Sequence, residues 1–224
     1  MFEFLLDPTF QTWIAQGLLL TIEITLFGVT LGLGLGTLLA IGDIYGKKTV
    51  KAAIAIYVEF FRGSPLFVQL FIAVYTVPAI LNLQIDHYLL AFLVFGLNSA
   101  GYQKGYIKGA IQTVFSDQMD AGLSTGMSKI QTLRHVILPQ AYRIVIPSWT
   151  NEFCSLTKST ATLSFVGLFD LVGAGKSIRS LTFQILPVWL VIAAIYFVWI
   201  TGFSKIMDVI YEKKRIPGVE FLMQ

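Results

Sequence analysis

The sequence predicts an all-α integral membrane protein with five transmembrane helices, and three observations carry that prediction. Of 224 residues, 55% are hydrophobic and 13% charged, with a mean hydropathy of +0.73, about half the charged share of a soluble domain. So few charges cannot cover the outside of a water-soluble core this apolar, whereas a lipid-facing exterior does not require them. Five stretches reach or approach the ~20 residues needed to cross the hydrocarbon as a helix. The Lys and Arg residues then collect in alternate connections between those stretches.

The first predicted span covers residues 14–41 and ends at Gly42, Asp43 and the basic cluster Lys47, Lys48 and Lys51. Along it Gly28, Gly32, Gly36 and Ala40 recur every four residues, a small-residue stripe that lets helices pack closely in lipid. Glu23, between Thr21 and Thr25 near the outer end, is read as interfacial. A short second span, 65–80, follows Arg62-Gly63-Ser64-Pro65, where Ser64 can cap and Pro65 can take the first helical position. The third covers 88–107, the fourth 144–163 and the fifth 187–210. No internal repeat, linker or low-complexity segment divides the chain, so residues 1–224 read as one membrane domain.

Orientation follows from the basic residues. Lys47, Lys48, Lys51, Arg62, Lys104, Lys108, Lys129, Arg134, Arg143, Lys213, Lys214 and Arg215 flank one side, and only Lys176 and Arg179 the other. The excess marks the cytoplasm, placing the N-terminus outside and the C-terminus inside. Residues 1–8 carry Glu3 and Asp7 but no Lys or Arg, unlike the basic start of a cleavable signal, so the N-terminus is expected to be retained.

A formal charge of +3, scattered between apolar runs, gives no nucleic-acid stripe. One cysteine, Cys154, and two distant histidines, His87 and His135, make neither a disulfide nor an evident metal site. Gly173 to Ser177 lacks the first glycine and the preceding strand of a phosphate loop, so the chain itself is not expected to bind ATP. No nucleophile and base pair up at intramembrane positions, which argues against a membrane-embedded enzyme.

The cytoplasmic segment 108–142 is too short for a catalytic domain, yet patterned. Ser116 before Asp117 predicts a helix start, and Gly126 a left-handed helix end. A second short helix over 128–136 should stop before Ile137-Leu138-Pro139. Small residues on the first element would let another protein approach the backbone; the plain alternative is a solvated loop.

These residues resemble a known family. Asp120-Ala121-Gly122, then Gly126 after three intervening residues, and Ile137-Leu138-Pro139 are similar to the coupling signature of permease subunits of ATP-binding-cassette importers. Glu59 to Leu70, Asn98-Ser99, Leu138 to Ala141, and Asn151-Glu152 with Lys158 resemble the polar amino-acid branch (histidine, glutamine, arginine), in family order over about residues 57–211. The resemblance implies a type I importer permease fold in a prokaryotic cytoplasmic membrane. It also implies ATPase coupling through residues 116–139, with Asp120, Ala121, Gly122, Gly126, Leu138 and Pro139 as the coupling residues. Implied partners are two ATPase subunits that bind ATP and Mg, a second permease copy or sister chain, and an extracytoplasmic amino-acid-binding protein. Asp120 replaces the family's Glu, and Gly122 its second Ala at a cost of roughly 1 kcal/mol in helix propensity. Gly105 stands where the family carries an acidic residue.

The fourth span is too polar to face lipid. Glu152, Ser155 and Ser159 share a helical face, while Lys158 falls on another. Glu152 lies about 13 Å beyond Arg143 and Lys158 about 9 Å further out, so Lys158 can snorkel and Glu152 cannot. A carboxylate at that depth is protonated, paired with another helix, or in contact with a ligand cation. Gln69, Asn98, Ser99, Glu152 and Ser155 are therefore the candidate path residues, with interhelical hydrogen bonding the competing role. An ion-coupled secondary transporter or channel using Glu152 and Lys158 is the alternative function.

Overall fold

The computed structural model describes residues 2–216, apart from the side chains of residues 3 and 115–117. Seven helices follow a short 3-10 turn among the described residues: α1 (Pro8–Tyr45), α2 (Lys48–Gly63), α3 (Leu66–Leu81), α4 (His87–Ser124), α5 (Lys129–Val166), α6 (Leu171–Thr182) and α7 (Ile185–Lys214). Each of the five predicted stretches lies mostly or wholly within a helix. Whether each is a separate crossing is less simple. By length and composition α1 and α7 can cross a bilayer, and the pairs α2 with α3 and α5 with α6, bent by 103° and 52°, bring the number to four if each is one span.

Helix α4 is missing from that set because Asn98, Ser99, Gln103, Lys104 and Lys108 interrupt its apolar run. It is instead the inner helix: Ser99 and Gln103 are fully buried, Asn98 nearly so. Its contact with α1 explains the glycine stripe. A Cβ on Gly32 would fall 2.6 Å from Gln103 Nε2 and 2.7 Å from Ser99 Oγ, and one on Gly28 3.3 Å from Phe95 Cβ. At Gly36 a Cβ would fall 3.1 Å from the Lys104 backbone nitrogen, the close helix approach that the four-residue spacing predicts. Beyond the stripe, Asp43 at the end of α1 pairs with Lys104 at 2.6 Å and Lys108 at 2.8 Å. Those two lysines flank Gly105, which faces open space, so the charges on this turn of α4 are answered by α1.

The helix ends depart from expectation in three places. Ser64 does not cap α3; its hydroxyl donates back to the Phe60 carbonyl at 2.6 Å and closes α2, while Pro65 precedes the first residue of α3. No helix begins at Ser116. That side chain lies outside the described residues, but the backbone there is continuous α4, whose 38 residues extend about 57 Å and outrun the ~30 Å hydrocarbon. Nor does Pro139 stop a helix. It sits at the second position of the long α part of α5, Leu138–Ser159, after a π turn at Leu133–Ile137. The same device precedes Pro78, with a π turn at Ile72–Thr76. A proline removes one N–H and crowds the carbonyl four residues back, and the wider turn absorbs both.

Two helices had no counterpart in the sequence reading: α2, in the basic first connection, and α6, in the fourth one. Asp170 caps α6 by accepting from the amides of Val172 and Gly173. Tyr57 fastens α2 to α4 through a 2.6 Å hydrogen bond to the Leu97 carbonyl. Helix α7 is less enclosed than α1, with 11% of its most apolar stretch buried against 44%. Such a surface needs lipid or another chain against it.

Candidate functional site

The corner between α2 and α3, the inner part of α4 and the polar face of α5 enclose a half-open cavity of about 640 Å³. Helical register explains its lining. Asn151, Glu152, Ser155 and Ser159 come from α5, Asn98, Tyr102 and Tyr106 from α4, and Arg62 and Ser64 from the corner. The predicted face of Glu152, Ser155 and Ser159 thus opens onto one space, with exposed Lys158 elsewhere on the helix.

Glu152 is 6% exposed. Its Oε1 accepts a hydrogen bond from Ser99 Oγ at 2.8 Å. Ser99 in turn accepts from Gln103 Nε2, which also donates to the Val29 carbonyl of α1. Among the described residues no Lys, Arg or His forms an ion pair with Glu152. An almost buried carboxylate without a cation is costly, and here it borders a cavity.

The remaining candidates on α3 and α4, Gln69 and Asn98, have a different place. Asn98 Nδ2 donates to Gln69 Oε1 and to the Phe61 carbonyl, and Gln69 Nε2 donates to the Phe61 and Ser64 carbonyls and to Ser64 Oγ. Gln69 therefore holds the α2–α3 corner and does not line the cavity, whereas Asn98 does both. Arg62, Tyr102 and Tyr106 were not among the expected path residues. Arg62 lies over the Tyr102 ring at 5.3 Å, an arrangement that favours a guanidinium on an aromatic face. The spacing of Tyr102 and Tyr106, four apart like Asn98 and Tyr102, was the available signal.

At the opposite end of α4 the chain reverses. Gly126 has φ of 85°; its amide donates to the Leu123 carbonyl and that of Met127 to the Gly122 carbonyl, the paired bonds of a Schellman end. Ser128 and Gln131 then form a reciprocal capping box that starts α5. Asp120, Ala121, Gly126 and Pro139 are exposed, and Leu138 is half-buried. Gly122 is buried, its α-carbon facing the Thr132 side chain. Its small size serves the contact between the two arms, and exposed Ala121, Leu123 and Ile130 supply the outer surface.

A bundle of apolar helices around an inner polar helix, with a polar cavity beside it, is the architecture of a membrane protein with an internal polar site. Residues 32–215 match the family described as binding-protein-dependent transport system inner membrane component, and the chain belongs to that family. It is 34% identical over 201 residues to the L-cystine transport system permease protein TcyB of Bacillus subtilis, covering 89% of this chain and 84% of that one. To the arginine transport system permease protein ArtQ of the same organism it is 30% identical over 186 residues, covering 83% and 85%. A solved structure of an amino acid ABC transporter with histidines superposes with a TM-score of 0.84 at 30% identity, over 95% of this chain and 98% of that one. The fold is that of an ABC importer permease, and the family is one of transport subunits. The ion-coupled alternative is not favoured.

Proposed function

We propose that this chain forms the translocation path of an ATP-driven importer of polar amino acids. In this reading residues 1–224 are one membrane domain of five spans, with the N-terminus outside and the C-terminus in the cytoplasm. The span through α2 and α3 bends at its cytoplasmic end, and α4 is the third crossing, enclosed by the others. Names of relatives that carry cystine and arginine support the substrate class. The observation that carries the reading is the cavity itself, where buried Glu152 and exposed Arg62 line the same space. An amino acid presents an ammonium and a carboxylate, and these two side chains offer the complementary charges. Ser155 and Asn98, which line the cavity, supply orienting hydrogen-bond groups, and Ser99, buried behind it, positions the Glu152 carboxylate.

Coupling runs through the projecting turn. Asp120, Ala121, Gly122 and Gly126 shape it, and Leu138 and Pro139 join it to the helix that carries Glu152. A pair of cytoplasmic ATPase subunits, with their ATP and Mg, receives the turn; this chain holds no cofactor of its own. Closure of the ATPases moves the turn and, through the rigid α4 and α5, favours one gate over the other. A second permease, identical or a sister chain, closes the open side of the cavity, and an extracytoplasmic amino-acid-binding protein delivers the substrate. Affinity purification of the tagged chain tests this. Recovery of an ATPase subunit, with ATP-dependent amino-acid uptake after reconstitution, is expected; recovery of a chain that transports in an ion gradient without ATPase would overturn it.

A further inference from the structure

We propose that the C-terminal end of the bundle carries a site for one anionic phospholipid, its head group in a basic cavity and the first few methylenes of an acyl chain in the apolar slot beside it. The proposal rests on the cytoplasmic placement of the C-terminus given above. A cavity of about 560 Å³ lies between the start of the long α part of α5 and the last turn of α7. Arg143, Lys213, Lys214 and Arg215 contribute to it. Arg215 is already engaged by Glu212, Nε to Oε2 at 3.3 Å. Among the described residues Arg143, Lys213 and Lys214 form no ion pair. Three like charges around one cavity repel one another and are relieved by an anion.

A separate observation says which anion. A slot of about 130 Å³ is walled by Leu33, Tyr142, Val145, Ile146 and Trp149, and it shares Tyr142 and Ile146 with the basic cavity. Tyr142 stands between the two, its hydroxyl 3.0 Å from Thr37 Oγ1. Pro139, Tyr142, Ile146 and Trp149 fall at i, i+3, i+7 and i+10, one stripe along the helix, and none of them lines the polar cavity around Glu152. A free phosphate would use the cations and leave the slot unused. A phospholipid of the inner leaflet uses both, with the tyrosine at the level where aromatic rings meet head groups.

The test uses the full-length chain in neutral detergent. Thermal unfolding is followed while phosphatidylglycerol, phosphatidylcholine with the same acyl chains, or inorganic phosphate is added. Phosphatidylglycerol is expected to raise the melting temperature with saturation, and the other two to leave it unchanged. The exposed pair Lys213→Gln with Lys214→Gln should require roughly 30-fold more phosphatidylglycerol, about fivefold for each charge, while Lys213→Arg with Lys214→Arg responds as the parent does. Ile146→Trp, which fills the slot, should weaken the lipid response without creating one to phosphate. An equal response to phosphatidylcholine, an unchanged response in the glutamine variant, or phosphate acting as well as the lipid would each overturn the site. Cys labelling at position 214 separates this from the topology: reaction from the outside overturns the leaflet assignment, and reaction from the cytoplasm with no lipid effect overturns the lipid site alone.

Discussion

Ser99 of α4 and Glu152 of α5, 53 residues apart, are joined by a 2.8 Å hydrogen bond, the one side-chain bond to the Glu152 carboxylate among the described residues. In the proposed path this carboxylate meets the cationic group of the substrate. Glu152→Gln retains shape and a hydrogen-bonding group, so in reconstituted importer it should reduce uptake of cationic amino acids far more than neutral ones. Detergent melting should change little, because Gln relieves the burial of a charge. Unchanged selectivity with a loss of about 3 to 5 kcal/mol in stability would mark Glu152 as half of an ion pair with a neighbouring chain.

Gly32 is held between Ser99 and Gln103, the groups that orient Glu152. Gly32→Val should therefore part α1 from α4, costing about 1 to 3 kcal/mol. Melting temperature and uptake should fall together. Gly34→Val, two residues away with open space around its Cβ position, should have little effect on either; comparable losses at both positions would refute the packing role.

For the topology, single cysteines in a Cys154→Ser background should divide into two groups. Those replacing Lys48 or Lys214 should react with an impermeant thiol reagent only in inverted vesicles, and one replacing Asn82 only in intact cells. Labelling of positions 48 and 82 from the same side would refute the crossing by α2 and α3.

The projecting turn should tolerate no bulk on its outer surface. Ala121→Arg leaves the chain inserted and its melting unchanged, but should lower ATP-dependent uptake at least tenfold. Gly126→Pro should do the same and also destabilise the turn, since the amide of Gly126 is bonded to Leu123 and φ of 85° is closed to proline. Normal uptake by Ala121→Arg in an assembled importer would remove this surface as the docking site.

Local chemistry decided a good part of this protein. The apolar runs, the glycine stripe, the turn at Gly126 and the shared face of Glu152, Ser155 and Ser159 each depend on residues within a few turns of one another, where hydropathy, backbone freedom and helical period act directly. Tertiary structure decided the rest. Helix α4 continues past Lys108 where a new helix was expected at Ser116, because nothing in the local sequence registers how far an enclosed helix projects. Pro139 interrupts nothing, because a π turn accommodates it. Arg62, Tyr102 and Glu152 come from three helices, and no period relates them; only the packing of α4 against α1, permitted by Gly28, Gly32 and Gly36, brings α5 and the α2–α3 corner to the same cavity.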